Sequence, residues 1–234
     1  MLIMLRALVR KETVVFLGAL FIVLSVLVKI FGENFYLNRT LFLYVFNHHA
    51  SFVNPLMVVL SLYGREYVWI PLTFLLWVLG ERKHKRAAFL LASAFIVAII
   101  AGELSKFLMG EPRPFQVLSL MPLTPTEKGH SYPSGHALIV GTGAVMVALT
   151  LSRKFWVPLT LEALAVSFSR IYVGAHWPVD VVAGWLLGSF CALFVFSIEE
   201  RLSPIMDALM GIWERILLAL KTRPLGETEE EEEE

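Results

Sequence analysis

Three short clusters carry most of the chemistry-bearing side chains in an otherwise apolar chain. In the first, "KFLMGEPRP", Lys106 is followed after six residues by Arg113-Pro114. Gly110, Pro112 and Pro114 stop a helix there, so Lys106 lies on its last turns and Arg113 on a rigid, extended strip folded back beside it. Two fixed cations on one side suit a phosphate. The second cluster, "SYPSGHA" (Tyr132 to Ala137), opens another apolar run. Ser134 and Gly135 set a hydroxyl and unhindered N–H groups at a helix N-terminus, where the macrodipole favours an anion, and His136 stands in the first turn. In the third, "SRIYVGAHWPVD" (Ser169 to Asp180), Arg170 closes one apolar run and His176 precedes Pro178, which starts the next. A carboxylate four residues after His176, that of Asp180, reaches the ring and binds one nitrogen, leaving the other with a free lone pair. That is how an imidazole becomes a nucleophile. Taken singly, the first cluster reads as a snorkelling lysine and the third as a histidine–aspartate cap. Together, three cations, an amide nest and two histidines describe phosphate binding with chemistry added.

The elements that position these clusters are membrane spans. Of 234 residues, 57% are hydrophobic and 17% charged, against roughly 45–50% and about 25% in soluble domains. The chain therefore reads as an all-α membrane protein. Runs of about 20 apolar residues predict a six-transmembrane-helix bundle over residues 13–31, 66–80, 87–109, 134–151, 155–172 and 178–198. The first run is too long for a cleaved signal peptide and lacks its cleavage site, so it is expected to stay as a span. Between the first two spans, Glu33 to Arg65 mixes aromatics, polar groups and a proline, which predicts short helices lying at the interface.

Lysines and arginines orient the bundle, because positive short loops stay in the cytoplasm. Arg6, Arg10 and Lys11, the loop "ERKHKR" and Arg153-Lys154 put both termini inside and all three clusters outside. Beyond the bundle (1–200), residues 201–222 read as a cytoplasmic amphipathic helix, with Ser203 as cap and Pro204 at its first position. Seven of the twenty acidic residues fall in the extreme C-terminus, so 223–234 reads as a disordered acidic tail. The lone Cys191 excludes an internal disulfide. No nucleic-acid partner is expected, and the oligomeric state is left open.

Lysine, six residues, arginine-proline; proline-serine-glycine-histidine; serine-arginine, five residues, histidine, three residues, aspartate: this order resembles the signature of the type 2 phosphatidic acid phosphatase superfamily of lipid phosphatases. The positions are met by Lys106, Arg113, Pro114, Pro133, Ser134, Gly135, His136, Ser169, Arg170, His176 and Asp180, and the resemblance covers roughly residues 10 to 200. It implies that His176 attacks phosphorus in line to give a phosphohistidine, that Asp180 holds and polarises it, and that His136 protonates the departing oxygen. Lys106, Arg113, Ser134, Gly135 and Arg170 would bind the equatorial oxygens. It also implies that no metal or other cofactor is required, the cations supplying that stabilisation. Soluble vanadium haloperoxidases share the constellation, and six hydrophobic spans argue against that reading.

A site at the outer mouth of a bundle is open to water and to the outer leaflet, so a lipid phosphate is the expected substrate. Within the family a polyprenyl diphosphate fits best. Phosphatidylglycerophosphate or phosphatidate hydrolysis and lipid phosphotransfer are the alternatives, and a non-catalytic lipid-binding scaffold is the reading of another class. Among the remaining polar residues, Glu103 reads as an ion-pair partner of Lys106. Glu162 is an intramembrane carboxylate without an evident partner. His48-His49 read as interfacial histidines rather than a metal site, and His130 as a loop residue.

Overall fold

The structure, a computed structural model, describes residues 10–222. Arg6 and the acidic segment 223–234 lie outside the described residues. Within them every regular element is helical: α1 Lys11–Phe31, α2 Tyr36–Asn47, α3 Asn54–Val78, α4 Arg82–Met109, α5 Pro114–Val117, α6 Gly135–Thr150, α7 Arg153–Tyr172, α8 Pro178–Ser197 and α9 Glu199–Thr222. The chain divides into two compact units at Ile198/Glu199.

Local chemistry explains the boundaries nearest the site. α4 ends where Gly110 adopts a left-handed conformation (φ 68°) and its N–H returns to the Lys106 carbonyl, a conformation that glycine reaches without a Cβ penalty. α6 begins at Ser134, whose hydroxyl accepts from the Ala137 N–H, and α8 begins with Pro178 at its first position.

Two expectations need correction. The second span was expected to begin at Glu66, with short interfacial helices before it. Instead Asn54–Arg65 belongs to α3, which has proline in its first turn. Before it, α2 is the one short helix between residues 32 and 53. Ser61 and Arg65 break the apolar run because they face polar groups of the bundle interior, described below. The C-terminal helix begins at Glu199, not at Ser203, and continues through Pro204. Proline cannot donate to the carbonyl four residues back, that of Glu200. The Ser203 hydroxyl donates to that same oxygen instead, at 2.8 Å.

α6 is the axis of the first unit, packed against α4, α7 and α8, while α1 packs on α8, and α3 on α4 and α7. The α6–α8 contact is backbone-close: a Cβ on Gly184 would stand 2.8 Å from the Ser134 carbonyl, and one on Gly188 2.6 Å from that of Leu138. This Gly-xxx-Gly spacing lets two helices approach within reach of each other's main chains. It also fixes the start of α6 against the start of α8, where the second and third clusters lie. On the other side, Trp69 of α3 donates its indole N–H to Glu162 of α7 at 3.0 Å, giving that carboxylate the partner its sequence context does not reveal. α1, α4 and α8 are long and apolar enough to cross a bilayer, and α6 is a shorter apolar helix.

Candidate active site

The connection between α7 and α8 carries the central imidazole. The Ala175 and His176 N–H groups both donate to the Arg170 carbonyl, each at 3.1 Å, folding the chain back over the end of α7. Gly174 makes the turn at φ 84°, with the Phe46 ring so close that a Cβ would meet it at 2.7 Å. Asp180 Oδ2 accepts from the Trp177 N–H at 2.9 Å, from the Ser131 hydroxyl and from His176 Nδ1 at 3.1 Å.

The far side of the ring assigns the tautomer. Arg113 Nη1 lies 3.3 Å from His176 Nε2, and a guanidinium can only donate. Nε2 therefore accepts, and the ring proton sits on Nδ1, aimed at Asp180. His176 is 1% exposed. Burial, and after it the charges of Arg113 and Arg170, depress its pKa to about 4 despite the opposing pull of Asp180. The imidazole is neutral at pH 7, with its lone pair on the nitrogen beside the arginine.

Both signature arginines are buried and held. Arg113 donates to the carbonyls of Ala175 and Gly129, each at 3.2 Å, and Arg170 donates to the carbonyl and hydroxyl of Ser61 on α3, at 3.1 and 2.6 Å. Glu127 joins them: Oε2 lies 3.1 Å from Arg113 Nη1, and Oε1 pairs with Arg170 Nη2. Burial alone would raise the Glu127 carboxyl, but Arg170, His176 and Arg113 together hold it down at about 2. Two guanidinium groups thus converge on one anionic group beside the imidazole.

The other signature residues lie around the same space. Lys106, Arg113, Gly135, His136 and His176 line a cavity of about 420 Å³, together with Ser61, Leu62, Arg65, Glu66, Glu127 and Lys128. The Lys106 ammonium lies 3.4 Å from Glu103 Oε1. Ser134 is fully buried and does not line the cavity. Its hydroxyl caps α6, and its N–H donates to the Asp180 carbonyl at 3.1 Å, tying the second cluster to the third. His49 and His48 lean on the carbonyls of Tyr172 and Tyr44, and exposed His130 stands by Gly110.

Sequence reasoning missed Glu127, Ser131, Ser61, Arg65 and Glu33. The first two sit in the connection between α5 and α6, where no hydrophobic period marks which polar groups turn inward. A charge argument would have found Glu127, since buried cations require a carboxylate and that connection supplies few. Glu33, at the end of α1, is 3% exposed, and its carboxyl is raised by burial, then by Asp180 and by a hydrogen bond with it. The upward shift favours its neutral form beside the aspartate that binds His176.

Cations, two histidines and the start of α6 thus meet at one cavity of a helical bundle, and comparisons with known proteins give the family of that bundle. Residues 87–204 match the model of the PAP2 superfamily. An undecaprenyl-diphosphatase of Sulfolobus acidocaldarius is 44% identical over 194 residues, 82% of this chain and 93% of that protein. The undecaprenyl-diphosphatase BcrC of Bacillus subtilis is 28% identical over 184 residues, 76% of this chain and 91% of that one. Among solved structures, Aquifex aeolicus LpxE superposes with a TM-score of 0.63 at 26% identity, covering 71% of this chain and 98% of its own. The chain belongs to the PAP2 superfamily.

Proposed function

We propose that this protein is a membrane lipid phosphatase that cleaves the terminal phosphate from a polyprenyl diphosphate, at the extracytoplasmic mouth of a six-span bundle. The observation that carries the reading is the polarity of His176: Nδ1–H faces Asp180 at 3.1 Å, while Nε2 accepts from Arg113 Nη1 at 3.3 Å beside the cavity that both residues line, a lone pair that is freed for phosphorus when the arginine turns to the substrate's oxygens. The names of the relatives, undecaprenyl-diphosphatases, support the substrate class. The distribution of lysine and arginine among the loops supports the outward orientation, with α3, α6 and α7 crossing beside the three clearly apolar helices. In the same scheme α9 lies on the cytoplasmic surface, its apolar face against the bilayer.

In this mechanism Nε2 attacks the terminal phosphorus in line. The N–P bond forms as the P–O bond to the bridging oxygen breaks, and that bond's electron pair leaves with the lipid monophosphate. Asp180 stabilises the positive charge that grows on the ring. Arg113, Arg170 and Lys106, with the first amides of α6, hold the equatorial oxygens, on which charge spreads in the transition state. Glu127 then gives up the two guanidiniums to the incoming phosphoryl group. His136, in the first turn of α6, protonates leaving groups that need a proton. Water attacks the phosphohistidine, and the N–P electron pair returns to Nε2.

The test is phosphate release by the full-length protein from undecaprenyl diphosphate, phosphatidylglycerophosphate and phosphatidate, in detergent with chelator present. Undecaprenyl diphosphate is expected to turn over fastest. Absence of release from all three contradicts the reading, and preference for either glycerolipid moves the substrate class.

A further inference from the structure

We infer that Arg65, which is not one of the signature residues, holds the lipid-proximal phosphate of a diphosphate substrate, with Lys106 bridging to it from the terminal phosphate, and thereby sets preference for diphosphates over monophosphates. This rests on the phosphatase reading above and deepens it.

The geometry comes from three elements. Arg65 lies on α3, one turn after Ser61, whose hydroxyl and carbonyl hold Arg170. The helix thus presents one group to a phosphate-binding arginine and, a turn further on, a cation of its own to the same cavity. The Arg65 guanidinium engages its neighbour Glu66 through Nε and Nη2. Its Nη1 turns the other way, to 3.8 Å from where a Cβ on Gly135 would lie, and Lys106 Nζ stands 3.4 Å from that same point. Two cations therefore flank the glycine that opens α6, where the helix dipole already favours negative charge. Arg113 and Arg170 share Glu127, whereas Lys106 and Arg65 pair with Glu103 and Glu66, so positive charge occurs in two separately paired groups.

Leaving-group chemistry says what the second group is for. When a phosphate monoester is cleaved, an alkoxide departs and needs a proton, which is the work of a general acid such as His136. When a diphosphate is cleaved, the departing group is itself a phosphate, whose second pKa is about 6. It leaves without full protonation but gains negative charge on the bridging oxygen as the P–O bond breaks. Fixed cations at that oxygen and its neighbours stabilise this charge where it develops. Arg65 is half-buried, and its planar fork matches a phosphate edge in a way that an ammonium cannot.

The experiment compares Arg65→Gln and Arg65→Lys with the unaltered full-length protein, using undecaprenyl diphosphate and phosphatidate in parallel. Loss of one charge-assisted contact to a developing oxyanion predicts a kcat/KM on undecaprenyl diphosphate lower by about 30–300-fold in Arg65→Gln, against about threefold or less on phosphatidate. Arg65→Lys is expected to fall between on the diphosphate. Inhibition supplies a second readout independent of turnover: methylenediphosphonate is expected to bind Arg65→Gln at least about tenfold more weakly, with orthophosphate binding changed little. Equal losses on both substrates, or equal weakening of both inhibitors, would overturn the subsite. A wild-type protein inactive on every lipid phosphate would instead overturn the phosphatase reading, so the two failures are distinguishable.

Discussion

α6 and α1 are similar in composition and opposite in role. Eleven of the sixteen residues of α6 are buried, against two of the twenty-one in α1. α6 meets protein on nearly every side, its first turn tied to α8 by the Ser134–Asp180 main-chain bond. α1 turns Phe16, Ile22, Val23 and Ile30 outward. In lipid no hydrophobic force drives two apolar helices together, so packing and close backbone approach decide which becomes an axis and which a wall. Signature positions occur on or beside α4, α6, α7 and α8, while α1 carries none and supports them through Ser25, hydrogen-bonded to the Tyr132 hydroxyl, Lys29, which donates to the Met109 carbonyl, and the buried Glu33 just beyond its end.

Substitutions that test this contrast run from large effects to none. Gly184→Ala drives a methyl against the Ser134 carbonyl and Ala137. Overpacking of this kind costs about 1–3 kcal/mol, and displacement of the α6 start against the α8 start is expected to lower kcat about 100-fold. Thermal unfolding and turnover in detergent measure both, and unchanged turnover would break the link between axis and site.

A smaller effect concerns pH. Burial holds the His176 pKa near 4, so the proposed nucleophile is lost only as pH falls through that value, not through the ordinary histidine value of about 6.5. The acid limb of kcat/KM, corrected for substrate ionisation, is expected near pH 4. An inflection near 6.5 would place the ring in water. Least affected is Ile22→Ala on α1: an outward residue 62% exposed is expected to change stability by no more than about 0.5 kcal/mol, and a larger loss of Tm would show that α1 carries packing that the structure lacks.

The parts of this fold legible in the sequence are those written in punctuation. Gly110, Ser134 and Pro178 mark where α4 ends and where α6 and α8 begin, and the signature residues sit at those three points. The start of α3 was misread because Ser61 and Arg65 look like interruptions in a chain read for lipid-facing apolarity, whereas they face the interior. Ser131 was illegible for another reason, and Glu127 was marked only by the scarcity of carboxylates in its connection. In an aperiodic connection no period tells which hydroxyl turns toward Asp180, and only the fold decides it. The difference between α6 and α1 was hidden as well, because a helix apolar all round gives no stripe to say which neighbour covers it; the Gly184-xxx-Gly188 spacing on α8 was the one available hint.

The central claim, that His176 Nε2 becomes covalently bonded to phosphorus, is tested most directly by trapping. Full-length protein mixed briefly with undecaprenyl diphosphate labelled in its terminal phosphate, quenched in alkali to preserve phosphohistidine and digested for mass spectrometry, is predicted to carry phosphate on the peptide containing His176, and none in His176→Ala. Phosphate on a different residue, or turnover that persists in His176→Ala, would contradict the account.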